Sequence, residues 1–264
     1  MAKKAEEKNL PAKAQASGAL ADIRSSIIED VGKGFEGVKP ADVAIPFLVI
    51  LQDLSPAVRK GPGRIEGAEA GDIIQTVSQQ IFKANTGVVV VPCGFQKAYV
   101  EWTPRESGGG FVRQHLDENI LKDCTKNERN QDMLKNGNQI VTTAYHYVVI
   151  SNDGKYERAI VAMASTQLKK SRRWNSQMMS LQIDIDGKKV NPACFSHSYT
   201  LSTILETKDQ NQWYNWAIGP ANMLEDGNLY LFAKQFYQQV REGAVKVSAP
   251  PADEKQAPAT EEHF

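Results

Sequence analysis

Four consecutive valines, Val88–Val91, stand between Gly87 and Pro92. A short β-branched apolar run with breakers at both ends is the pattern of a buried strand. Alternation continues it. Phe95, Lys97, Tyr99 and Glu101 fall on one side of an extended chain, and Gln96, Ala98, Val100 and Trp102 on the other. Pro104 and Gly108-Gly109-Gly110 break the strand, and Phe111–His115 starts a return strand. The rest of the chain is organised around this strand, loop and strand.

Aromatics (Phe95, Tyr99, Trp102, Phe111) alternate with cations (Lys97, Arg105, Arg113) through the hairpin. Two physical readings stand side by side. Ring faces stack on unpaired bases while cations meet phosphates. Equally, aromatics on strands serve core and cross-strand packing.

Along the chain, residues 1–20 read as a disordered arm rich in Ala, Lys and Glu. Leu20, Ile23, Ile27 and Val31 recur at helical spacing. Ile45–Leu51 is a buried apolar segment in which Pro46 argues against a central strand or a helix interior. Ala70–Phe82 predicts a strand with its extension, and Leu116–Gln139 a long polar surface excursion. Ile140–Ile150 is the clearest strand, with Tyr156–Ala164 as its hairpin partner. Ser165 then reads as the N-cap of a helix on which Leu168, Asn175, Met178 and Met179 share one face by spacing. Its other face carries Lys169, Arg172, Arg173 and Ser176, flanked by Lys170 and Trp174. Ala193–Leu205 and Trp213–Ile218 predict two further strands, with Trp213 and Trp216 as core residues. Leu229–Val240 predicts a helix stopped by Gly243. Residues 21–246 thus form one globular domain, and 247–264 a disordered Pro/Ala/Glu-rich tail.

Six to eight short strands and two helices, without β-α-β alternation, predict a mainly β protein with a few helices (α+β). The form is an elaborated OB-like antiparallel barrel or a curved sheet. Composition narrows the setting. Three widely spaced cysteines give no disulfide framework and fit a reducing cytosol. No apolar run reaches the ~20 residues of a membrane span, and the N-terminus lacks a secretory h-region. A cytoplasmic protein is expected. The 31 basic and 31 acidic residues cancel, so an interface for an anionic polymer would depend on local charge.

No Walker A lysine follows Gly108–Gly110, no CxxC or HExxH is present, and the four histidines show no nucleophile at a recognisable elbow. Asp184 and Asp186, followed by Gly187-Lys188, read as turn residues rather than Mg²⁺ ligands. No enzyme activity, metal or cofactor is expected. Two features remain: the cations Lys169, Lys170, Arg172 and Arg173 beside Trp174, and the tail ending in Glu261, Glu262, His263 and Phe264.

A β-rich core with a Lys/Arg/aromatic surface, no catalytic signature and an acidic tail closed by Phe264 resembles the single-stranded DNA-binding proteins of phage replication systems. The segments IPFLVILQDLSP and WTPRESGGGF are similar to those of phage-encoded proteins of this size. The tail here is only weakly acidic: Asp253, Glu254, Glu261 and Glu262 are offset by Lys255. The resemblance implies an OB-fold core that protects single-stranded DNA in the host cytoplasm, and a tail that recruits polymerase, helicase or primase. On this reading Tyr99, Trp102 and Trp174 stack on bases. Lys97, Arg105, Arg113, Lys169, Lys170, Arg172 and Arg173 contact phosphates, and Glu261, Glu262 and Phe264 engage the partner. A strand-annealing recombination protein and a virion interaction protein without nucleic-acid binding are the alternatives. Self-association is left open.

Overall fold

The structure, a computed structural model, describes residues 23–39, 42–104, 109–152, 154–245 and 247. Contacts divide the chain into two units, Met1–Val43 and Ala44–Phe264. The first contains a short helix, α1 (23–29). Its Ile23, Ile27 and Ile28, and Val31 beyond it, are exposed. Residues 20–22 of the helix expected there lie outside the described residues, as do residues 1–20 and 248–264.

The second unit is built on the predicted long strand. β4 (Val88–Thr103) pairs along its length with β8 (Gln139–Asn152), and β8 with β9 (Lys155–Ala164). Outward from β9 come β1 (Phe47–Ile50), β2 (Ile73–Gln75) and β3 (Ile81–Phe82). On the other side of β4 lie β12 (His197–Lys208) and β13 (Asn211–Ile218). The ladder β13-β12-β4-β8-β9-β1-β2-β3 is antiparallel except where β1 runs parallel to β9. β5 (Gly110–His115) also pairs with β4, and β14 (Asn222–Met223) with β12. The polar excursion forms a 3-10 turn, Glu118–Asp123, and a small hairpin, β6 (Cys124–Lys126) and β7 (Asp132–Leu134), beside β8. A separate ribbon joins β10 (Ile183–Ile185) to β11 (Lys188–Val190). There Asp184 accepts the Gly187 N–H, the turn role expected of it. The Ala70–Phe82 segment, expected as one strand, is folded back as β2 and β3.

The chain is therefore mainly β, with a sheet curled into a half-barrel. Its two faces bury different clusters. The inner one gathers Leu48, Ile50 and Ile73 from one end of the sheet and Tyr199, Leu201 and Trp216 from the other, around Val90, Val148 and Val161. α2 (Gln167–Ser180) covers this face through Trp174. The outer cluster packs Val91, Cys93, Tyr145, Tyr147 and Ile160 under Leu229, Ala233 and Phe236 of α3 (Gly227–Arg241).

A bulge between Pro92 and Gly94 adjusts β4 to both clusters. The extra residue reverses the alternation. Val90 opposes Ile150 on the inner face, and after the bulge Phe95 opposes His146 and Lys97 opposes Ala144 on that same face. A Cβ on Gly94 would lie 2.9 Å from Val240, so the glycine admits α3 to the sheet.

The two ends of the half-barrel meet without a ladder. The Gln52 side-chain N–H donates to the Tyr214 carbonyl at 2.9 Å, and its amide oxygen accepts the Tyr214 N–H at 2.8 Å. One side chain thus plays the part of a missing strand residue. Gln52→Ala leaves both Tyr214 backbone groups without that partner and is expected to cost about 2–3 kcal/mol. Denaturant unfolding reads the loss, and exchange of the Tyr214 amide should quicken. Unchanged protection of that amide would mean the seam is held by other contacts.

Candidate nucleic-acid interface

α2 begins at Gln167, with Thr166 at the N-cap position and no side-chain cap bond. This corrects the expected Ser165 cap, because Ser165 instead adopts the left-handed conformation (φ 48°) as the chain turns off β9. The helix is also rolled relative to the expected face. Ser171 and Trp174 are its buried residues, with Leu168 and Met178 packed against the inner cluster, while Met179 is 78% exposed. Trp174, the largest apolar group on the helix, takes the centre of the contact and sets the roll.

That contact is an aromatic pile. The His146 ring stacks on Trp174 at 4.6 Å, and Trp174 meets Tyr199 edge-on at 5.8 Å. His146 also meets Phe95, tilted, at 5.2 Å. Nε2 of His146 and the Ser171 hydroxyl lie 2.8 Å apart. Burial pushes the His146 pKa down to about 3, so the imidazole is neutral. Phe95 is the outer end of the pile, with 48% of its surface exposed.

The same sheet face continues past Phe95. Lys97 lies 5.5 Å over the Tyr99 ring and 3.7 Å from Glu118. Glu101, 1% exposed, receives Asn138 at 2.6 Å, Arg113 Nε at 2.9 Å and a weak contact from Asn136 at 3.5 Å. His115 Nε2 lies 2.9 Å from the same carboxylate. Burial alone would raise the Glu101 pKa, but these hydrogen bonds outweigh it and hold the carboxyl at about 2. The anion fixes Arg113, whose side chain is 66% exposed.

These positions sort the expected site residues. Lys97 and Arg113 share the inner sheet face, beyond the part that α2 covers. Lys169, Arg172 and Arg173 are exposed on α2 and have no ion-pair partner among the described residues. Lys170 differs: it is paired with Glu206 at 2.7 Å and ties α2 to β12. Two stacking expectations, Trp174 and Tyr99, are corrected. Trp174 is fully buried and Tyr99 is 2% exposed, roofed by Lys97, so neither ring has a free face. Trp102 is half-buried on the opposite, α3 side, edge-on to Phe111 at 6.0 Å. Of the two tryptophans expected in the core, Trp216 is buried and Trp213 half-buried. Arg105, Glu261, Glu262 and Phe264 lie outside the described residues.

The ring that the sequence pattern did not single out for stacking is Phe95. It stands in the alternation, on the same side as Lys97. What marks it is exposure: it is the one aromatic ring of β4 that is exposed. Ser171, which meets the imidazole behind Phe95, is next in sequence to Arg172. The exposed ring and Lys97 thus share one strand face, and the imidazole that Phe95 meets is tied through Ser171 to the helix that carries Lys169, Arg172 and Arg173.

Among known proteins, a family model described as Pam3 phage gp34-like protein matches residues 15–246. No curated protein and no solved structure matches. No helix among the described residues is long and apolar enough to cross a membrane.

Proposed function

The chain belongs to the Pam3 phage gp34-like family, and on that premise we propose that it binds single-stranded DNA during phage replication or recombination. The observation that carries the reading is Phe95: a half-exposed ring packed on the buried His146–Trp174 stack, on the same strand face as Lys97 and on the sheet that α2, with its exposed cations, covers. A ring face accepts any base, and cations spaced along a helix and strand follow a flexible phosphate chain. A duplex hides its bases and would use only the charge.

In this reading Lys169, Arg172 and Arg173 contact phosphates directly, with Lys97 and Arg113 extending the track. The tail residues Glu261, Glu262 and Phe264 engage a replication protein through an aromatic anchor and flanking carboxylates. The activity is binding and requires no catalytic group.

Anisotropy of a labelled oligothymidylate across a salt series tests the reading, with the same-length duplex alongside. Neutralising Lys169, Arg172 and Arg173 to Gln is expected to weaken single-strand binding and to reduce the slope of log K against log salt by about 2. An unchanged slope, or equal binding of duplex and single strand, would remove this interface from consideration.

A further inference from the structure

Every residue from 23 to 39 is exposed, yet the stretch is not polar. Ile23, Ile27, Ile28, Val31, Phe35 and Val38 leave 48–76% of their surface uncovered. Their combined apolar area is on the order of 800 Å², what each partner brings to a standard interface. A monomer rarely leaves that much apolar surface in one short segment. On α1 the pattern is amphipathic. Ile23, Ile27 and Ile28 form one stripe, which the spacing of Val31 continues, and Ser25, Ser26 and Glu29 form the opposite side. So short a helix gains little from its own hydrogen bonds in water, and its stability depends on what the stripe packs against.

Charge selects the occupant. Arg24, Lys33 and Lys39 are interspersed with Glu29, Asp30, Glu36 and Asp42, so the segment offers no cationic face to a phosphate chain. A second copy running antiparallel does fit. A two-fold axis at Ile27 sets Ile27 against itself, Ile23 opposite Val31, and Arg24 opposite Asp30. Apolar stripe then meets apolar stripe, and each flanking cation meets a carboxylate. A parallel copy would instead set Arg24 against Arg24 and Asp30 against Asp30. Asp30 already accepts Lys33 at 2.6 Å and is 61% exposed, which leaves room for a second cation on its carboxylate.

We propose that α1 is a self-association surface, pairing antiparallel about Ile27 with α1 of a second copy of this chain. The contact is isologous, so it closes at a dimer. The inference is independent of the single-stranded DNA reading and stands or falls without it.

Sedimentation of the full chain at about 20 μM, without DNA, tests the proposal. A dimer is expected. Ile27→Asp combined with Val31→Asp should be monomeric. Its urea midpoint should match that of the wild type, because the buried apolar core begins at Phe47. Arg24→Asp and Asp30→Arg should each weaken the dimer about tenfold, since each sets like charges opposite one another. The two changes together restore opposite charges across the axis and should recover most of the loss. A monomeric wild-type chain overturns the inference, as does a dimer that survives the Ile27 and Val31 changes. Failure of the double charge exchange to recover the dimer overturns the antiparallel pairing.

Discussion

Gly87→Ala is expected to abolish stable folding, or to cost at least about 4 kcal/mol. Gly87 has φ +65°, where a Cβ is already unfavourable. Steric overlap adds more than the dihedral does: a Cβ there would lie 2.1 Å from the Leu201 carbonyl oxygen and 2.8 Å from its carbon. Both are backbone of β12, whose Leu201 pairs with Val88, so no rotamer change relieves the overlap. The alternative is to pull β12 from β4 and open the inner cluster. Against a stability of roughly 5–15 kcal/mol, little would remain. Gly137→Ala is the control, since that glycine has a similar φ of +84° but nothing within 4 Å of its Cβ. It should lose only about 1 kcal/mol. Equal losses in the two variants, read by urea unfolding, would show that dihedral strain rather than contact with β12 governs Gly87.

Acidification is expected to destabilise the protein in two stages. His146 is neutral when folded, with its pKa pushed to about 3 by burial, against 6.5 ordinarily. Below pH 6.5 the unfolded chain binds a proton that the folded chain refuses. The stabilisation is therefore complete above about pH 6.5 and lost as pH falls toward 3, amounting to about 2 kcal/mol between pH 7.5 and 5. Glu101 adds a second stage of the same sign. Its folded pKa is about 2 against 4.5, so its contribution is full above about pH 4.5 and lost toward pH 2. It is worth about 3 kcal/mol in all. Urea midpoints from pH 7.5 to 5 read the first stage, to which His197, whose pKa burial also lowers, adds with the same sign. His146→Phe combined with Ser171→Ala removes both partners of the buried hydrogen bond and should make that limb shallower, leaving the part due to His197. A wild-type profile already flat over that range would mean that the imidazole is not held neutral.

The elements most legible in the sequence were those whose patterns need no partner to interpret. The alternation of β4 correctly set Phe95, Lys97, Tyr99 and Glu101 against Gln96, Ala98, Val100 and Trp102, and β8, β9 and α3 followed from apolar runs and stops. Period-two spacing assigns a side but not a cover. Tyr99 and Phe95 share a side, yet one is roofed by Lys97 and the other lies open. The roll of α2 was obscured for a related reason. Its buried stripe includes Ser171, a residue that reads as polar surface until His146 is placed opposite it. Strands of two or three residues, as in β2, β3, β6 and β7, carry too few positions to show any period.

The seam between Gln52 and Tyr214 also dictates an order of assembly. Its partners are 162 residues apart in the chain, and β1 finds its parallel neighbour only once β9 exists. During synthesis β1 and β2 must wait while more than half the protein is made, and the half-barrel can close only after β13 leaves the ribosome. Loop closure over such a span is entropically slow. Until β9 is made, the edge of β1 that it will cover stays open to other chains, so the stage of synthesis between β2 and β9 is when the nascent chain is most prone to aggregate.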